Sequence, residues 1–160
     1  MWFYQGFPFD PDVIDKEGYI GFVYLITNLT TKRKYIGKKL FTKSKTRQVK
    51  GKKKKSRVKS DWETYFGSND ELLKDVALYG APHFSREILY LCKSKGECSY
   101  YEAYEQFMRH AIPNSEYYNV WLSVRVRKSH LKDMEIRNAK SSCSSCDCDS
   151  GCCRNDYESL

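Results

Sequence analysis

The sequence predicts a small α/β (α+β) fold, a largely antiparallel three-stranded sheet flanked by helices. Three observations carry that expectation. Residues 21–39, GFVYLITNLTTKRKYIGKK, are rich in aromatic and β-branched residues on either side of a turn-forming NLTTK segment, which is the pattern of a β-hairpin. Residues 84–91, FSREILYL, form a short apolar run bounded by breakers and read as a third strand, with a helical turn as the alternative. Two helix-start patterns, Ser68-Asn-Asp-Glu71 and Ser94-Lys-Gly-Glu97, place a Ser three residues before a Glu.

Each element has its own justification. A hairpin turn centred on Leu29 and Thr30 would set Tyr24 and Tyr35 opposite each other on one sheet face, close enough to serve a single small molecule or phosphate. The first helix carries Leu72, Leu73, Val76, Ala77 and Tyr79, and Gly80 and Pro82 end it. The second runs from Ser94 to about Ala111 and stops before Pro113. On a helical projection Tyr101, Met108 and Ile112 form the middle of its apolar stripe, with Tyr104, Phe107 and Ala111 on one flank. Glu105 falls inside that stripe. A carboxylate facing the body must meet a cation, hydrogen bonds or a metal, and a structural ion pair with a nearby Lys or Arg competes with any catalytic role. Glu102 lies about 60° further round and reads as solvated.

Charge is distributed unevenly. The chain of 160 residues has a formal net charge of +8, yet residues 32–59 hold 15 Lys and Arg and no acidic residue, leaving the remainder at −7. A field of that kind suits a polyanion, because each neutralised phosphate releases condensed counterions. Lys38, Lys39, Lys43, Lys45, Lys50, Lys52, Lys53, Lys54, Lys55 and Lys59 are the candidate nucleic-acid contacts; a localisation signal or a solvated loop is the competing reading. The KGKKKKSRVK core has no apolar periodicity, so a mobile loop is expected within a basic insertion spanning 38–60. No apolar run approaches the roughly 20 residues of a membrane-spanning helix, and the start of the chain lacks a signal-peptide pattern; a cytoplasmic protein with no membrane partner is expected.

The domain boundaries follow from composition. Residues 1–19 form an aromatic arm, with Trp2, Phe3, Tyr4, Phe7 and Phe9 around Pro8 and Pro11, read as irregular and packed onto the body. Residues 20–121 form the domain, and 122–140 a basic extension. Residues 141–160 carry five of the seven cysteines, read as a disordered, reduced tail, with soft-metal binding through thiolates as the alternative.

The spelling G-F-V-Y at 21–24 and Y-I-G at 35–37, joined by a T-N turn, resembles the GIY-YIG nuclease family. Glu105-Gln106-Phe107, Tyr118-Asn119 and the intervening LLKDVALYGAPHFSREIL are similar to later parts of the family pattern, so the resemblance covers residues 20–121. It implies a metal-dependent endonuclease that hydrolyses DNA phosphodiester bonds, of a small phage-type or mobile-element kind, acting in the host cytoplasm if phage-encoded. In that reading Tyr24 acts as or assists the general base, Tyr35 orients water or phosphate, Glu105 holds one Mg²⁺ or Mn²⁺, and Asn119 positions by hydrogen bonding. The family's phosphate-clamping arginine matches Arg47 or Arg57, with Arg47 preferred. An ordinary phenol titrates near pH 10, so Tyr24 would need cations near it, and Lys38 and Lys39 are placed for that in sequence. One active site implies nicking by a monomer, or a weak homodimer for double-strand cutting. The rival readings are a non-catalytic basic nucleic-acid-binding protein on the same fold and a thiolate metal-binding protein centred on the tail.

Overall fold

In the computed structural model, residues 1–49, 52–131 and 134 are described. The hairpin forms as β3 (Gly21–Asn28) and β4 (Lys34–Leu40), but its turn is longer than expected. Asn28 Oδ1 accepts from the backbone N–H groups of Thr30 and Thr31 at 2.9 and 3.1 Å, and Lys32 takes a left-handed φ of 64°. This side-chain-stabilised turn centres between Thr30 and Thr31. Tyr24 therefore pairs with Gly37, and Ile26 with Tyr35, so the two tyrosines share a face as diagonal rather than opposite neighbours.

The sheet has five strands rather than three. Before the hairpin come β1 (Phe3–Tyr4), β2 (Phe7–Pro8) and a short helix α1 (Asp12–Glu17). After it come β5 (Thr42–Val49), β6 (Lys52–Lys59), helix α2 (Asp70–Tyr79), β7 (Phe84–Cys92) and helix α3 (Lys95–Met108). The order is β2-β1-β7-β3-β4, antiparallel except where β1 runs parallel to β7. Residues 1–19, read as an irregular arm, thus supply two short strands at one end of the sheet and a short helix. Trp2 explains why: its indole Nε1 donates to the Trp62 carbonyl at 2.8 Å, and its ring meets Phe22 and Tyr24 edge-on at 5.0 and 5.3 Å.

Alternation along β3 divides the core. Phe22, Tyr24 and Ile26 face Trp2, Phe41, Trp62, Leu72 of α2, Phe84 and Tyr118. Val23 and Leu25 face the other way, toward Cys98 and Tyr101 of α3, with Ile36, Tyr90, Ala111 and Tyr117. The helix starts obey local chemistry: the Asn69 side chain, one residue after the expected Ser68, accepts from Leu72 N, while Ser94 Oγ accepts from Glu97 N and the Glu97 carboxylate accepts from Lys93 N.

Two expectations fail in part or whole. Helix α3 buries Tyr101 and Glu105 as its projected stripe requires, together with Cys98, but it is rotated so that Phe107 and Met108 are more than 60 % exposed. Its aromatics gather on an arc of about 120°, and only Tyr101, at one edge of that arc, is buried. The basic insertion is not an irregular loop either, since β5 and β6 pair along their whole length as a separate two-stranded ribbon. The cysteine-rich 141–160 and Lys50 lie outside the described residues, as do most positions after His130. No helix among the described residues is long and apolar enough to cross a membrane.

Replacing Trp2 by Ala should destabilise the fold by about 3–5 kcal/mol, read from the urea midpoint, because a buried indole and its hydrogen bond are lost together. A loss below about 1 kcal/mol would mean that the N-terminal strands are ornamental.

Candidate active site at the open edge of the sheet

Strand β4 is the outer strand beside β3, so its outward N–H and C=O groups need partners. At Lys34 the segment Glu116–Tyr118 supplies them: Lys34 N donates to Glu116 O, and Tyr118 N donates to Lys34 O, both at 2.8 Å. At Ile36 a side chain takes over. Asn119 Oδ1 accepts from Ile36 N at 2.9 Å and Asn119 Nδ2 donates to Ile36 O at 2.8 Å. Beyond this amide the chain leaves the strand and a cleft of about 290 Å³ opens, lined by Tyr24, Tyr35, Lys38, Glu102, Gln106 and Asn119 with Ser68, Asn69 and residues 120–123.

Tyr24 and Tyr35 enter from the same sheet face, with ring centroids 6.2 Å apart. Gly37 makes room for the first phenol: a Cβ there would lie 2.5 Å from Tyr24 Oη. Any side chain at 37 would therefore displace the hydroxyl. Tyr24 is buried, and desolvation, followed by the neighbouring Tyr35, Tyr65 and Glu102 and a hydrogen bond with Tyr65, raises its pKa well above the usual phenol value. Desolvation likewise raises that of Tyr35, against the opposing effect of the Ser68 hydroxyl 3.3 Å away. The cations expected to lower Tyr24 are engaged elsewhere. Lys39 Nζ lies 3.4 Å above the centre of the Tyr65 ring and 3.0 Å from Asp61, and Lys38 Nζ lies 2.7 Å from Glu102 and 3.1 Å from Ser99 Oγ.

The carboxylate of the cleft is Glu102, not Glu105. Glu105 accepts from Tyr90 Oη at 2.8 Å and from Arg109 Nε at 2.6 Å, on the α3 side of the sheet and away from both catalytic-candidate tyrosines. It is satisfied as a structural ion pair. The Arg four residues on is the sequence signal for that pairing, and Gln106 four residues after Glu102 marks the face that meets the cleft.

Gln106 adds an unusual feature. Ile36 O accepts from Asn119 Nδ2, and Gln106 Nε2 also points at it from 3.4 Å, which fixes the amide orientation and leaves Gln106 Oε1 buried with no hydrogen-bond donor. Neither candidate arginine is seen at the cleft. Arg57 is exposed on β6 and lines a different concavity with Lys39, Lys43, Lys95 and Asp61; Arg47 lies on β5 opposite Lys54, its side chain outside the described set. The described Arg33 is held by Glu71 and stacked on Tyr118, and Arg86 is buried between Trp2 and Phe66. Among the described side chains, Lys38 is the cation of the cleft. Lys43, Lys45, Lys55 and Lys59 are exposed on the ribbon, while Lys52, Lys53 and Lys54 lie on β6 with side chains outside the described set.

A family model described as the GIY-YIG domain of the putative endonuclease segE matches residues 2–122. No curated protein and no solved structure matches the chain. The matched span includes the N-terminal strands as well as the hairpin, the cleft and the Asn119 closure, and with it the chain belongs to the GIY-YIG endonuclease family.

Proposed function

We propose that this chain is a metal-dependent endonuclease that hydrolyses DNA phosphodiester bonds in the cleft beside β4, an enzyme of the phage or mobile-element kind. The observation that carries this reading is the convergence of a buried phenol, a half-buried one, a lysine, a carboxylate and the side chain of Gln106, whose oxygen has no donor, on one opening from three chain segments, β3, β4 and α3. A structural role alone would not require Glu102 and Gln106 to line it together.

The donor set suits a hard divalent cation. Among the described residues no group of three or more His, Cys, Asp or Glu is gathered, so Glu102 would be the only carboxylate ligand. Mg²⁺ is commonly held by one or two carboxylates and keeps several waters; Mn²⁺ accepts the same oxygen ligands. Gln106 Oε1, one helical turn from Glu102, would accept from such a water. When bound, the ion supplies Lewis-acid stabilisation of charge on the phosphate and the departing oxygen.

The remaining steps belong to the chain. Lys38, released from Glu102, would face a phosphate oxygen as a point charge, without the bidentate fork of an arginine. Tyr24 starts as a neutral phenol; to act as the base it would first give its proton to solvent, and the phenolate would then take the proton of the attacking water. Tyr35, with Ser68, would hold that water in line. Asn119 keeps β4 in place and positions the cleft without reacting.

Incubation of supercoiled plasmid with the protein and Mg²⁺ tests the reading. Wild type should nick it, EDTA should stop the reaction, and Glu102→Ala and Tyr24→Phe should each lower the rate at least about 100-fold, whereas Glu105→Ala should still cut below its lowered melting temperature. A plasmid left intact with every divalent ion would overturn the enzyme in favour of a binding protein on the same fold.

The pH profile provides a second check. Because the Tyr24 pKa is raised, its phenolate fraction grows about tenfold per unit between pH 7 and 9, and the cleavage rate should climb over that window without a plateau. The same raised phenols favour the folded state only while protonated, so stability falls once pH passes the ordinary phenol value and the profile is read below pH 10. A plateau below pH 8 would contradict Tyr24 as the base.

A further inference from the structure

The β5–β6 ribbon is held at a fixed base beside the cleft, and past that base its described side chains are exposed. Strand β4 leads into β5 through Phe41, which is buried against Phe22, Phe9 and Trp62. Around it Phe41 N donates to Ile20 O, Ser60 N to Phe41 O, and Ser60 Oγ to Leu40 O at 2.6 Å, while Lys39–Asp61 and Lys59–Glu63 ion pairs brace both legs. Past that base, the described side chains from Thr42 to Gln48 and from Lys55 to Arg57 are exposed, and they form no apolar face to dock on the body. Each strand is eight residues long, a reach of about 26 Å.

The arrangement of charge on this arm is two-sided. Register puts Lys43 and Lys45 on one face, opposite Val58 and Ser56. Arg57 and Lys55 lie on the other face, opposite Ser44 and Thr46. A ribbon meant to lie flat on a phosphate surface needs cations on one face only. Cations on both faces fit a slot with phosphates along both walls.

Duplex grooves are such slots, and they differ in width. The major groove of B-form DNA, about 12 Å wide, admits a two-stranded ribbon, whereas the minor groove is about 6 Å wide. The major groove of A-form RNA is deep and too narrow for side chains to read. A single strand offers one line of phosphates and no slot.

From this geometry we infer that the β5–β6 ribbon inserts into the major groove of B-form DNA, gripping both phosphate backbones, and so selects duplex DNA over duplex RNA and over single strands. The inference rests on the DNA-cleaving reading above and names the form of its substrate. Hydroxyl and amide side chains at Ser44, Thr46 and Gln48 give the ribbon polar contacts without a fixed base code, while the braced base holds the grip at a set distance from the cleft.

The test uses the full chain with Glu102→Gln, so that binding is read without cutting, on a 30-base-pair DNA duplex, its RNA counterpart and the single strand. Two further variants each neutralise one face: Lys43→Gln with Lys45→Gln, and Lys55→Gln with Arg57→Gln. All four positions are solvent-exposed, and removing like charges eases repulsion along the ribbon, so unchanged circular dichroism and urea midpoints are expected. DNA duplex should bind at least about tenfold more tightly than the other two, each face variant should lower the salt slope by roughly two, and guanine N7 should be protected from dimethyl sulfate. Equal binding to RNA duplex, loss from one face only, or unprotected N7 would overturn the insertion. Failure of the wild type to cut plasmid while these binding results hold would remove the nuclease reading and leave this one standing.

Discussion

The site depends on how the outer edge of β4 is closed. A strand edge left open invites another chain, and one closed along its whole length would leave no cleft. Asn119 solves both demands by presenting its amide as if it were one more strand residue, donating to and accepting from Ile36. Pairing ends there. Everything that gives the cleft its chemistry lies just past that point: Gly37 under the Tyr24 phenol, Lys38 on the next residue, and α3 bringing Glu102 and Gln106 from the opposite face of the sheet.

Electrostatics separate binding from chemistry within one small molecule. The described cations of the ribbon are exposed, screened by salt and suited to long-range capture of a polyanion. The cleft holds one lysine against one carboxylate and two phenols that burial keeps protonated. On the proposed reading such a cleft is quiet until substrate and ion change its charge. The unpartnered Gln106 oxygen belongs to the same economy, since a buried acceptor without a donor is costly in isolation and relieved by a hydrated cation.

The fold class, hairpin, helix starts and tyrosine pair were legible because local rules set them: β-branched runs, turn residues and side-chain caps act over a few residues. The exact pairing of Tyr24 was not, because an Asn28-capped turn and a two-residue turn read alike in sequence. The sequence favours Glu105 over Glu102 because Glu105 falls inside the projected apolar stripe and in a Glu-x-Phe setting, whereas the folded helix leaves much of that stripe, Phe107 and Met108, exposed. Tyr90, fifteen residues away on β7, decided it by offering Glu105 a hydroxyl. The ribbon was hidden for a different reason: lysine-rich strands have no hydrophobic period, and pairing between β5 and β6 is carried by backbone hydrogen bonds that composition does not reveal. Trp2 shows the reverse case, an aromatic visible in sequence whose role as a wall of the Tyr24 pocket needed the third dimension.

The central claim is that the metal-holding carboxylate is Glu102 and that Glu105 is structural. Direct Mn²⁺ titration followed by electron paramagnetic resonance addresses it without any substrate. Wild type and Glu105→Gln should each take up one ion, and Glu102→Gln should leave the free-ion signal unchanged. Retained binding in Glu102→Gln with loss in Glu105→Gln would contradict the account and move the centre to the other side of the sheet.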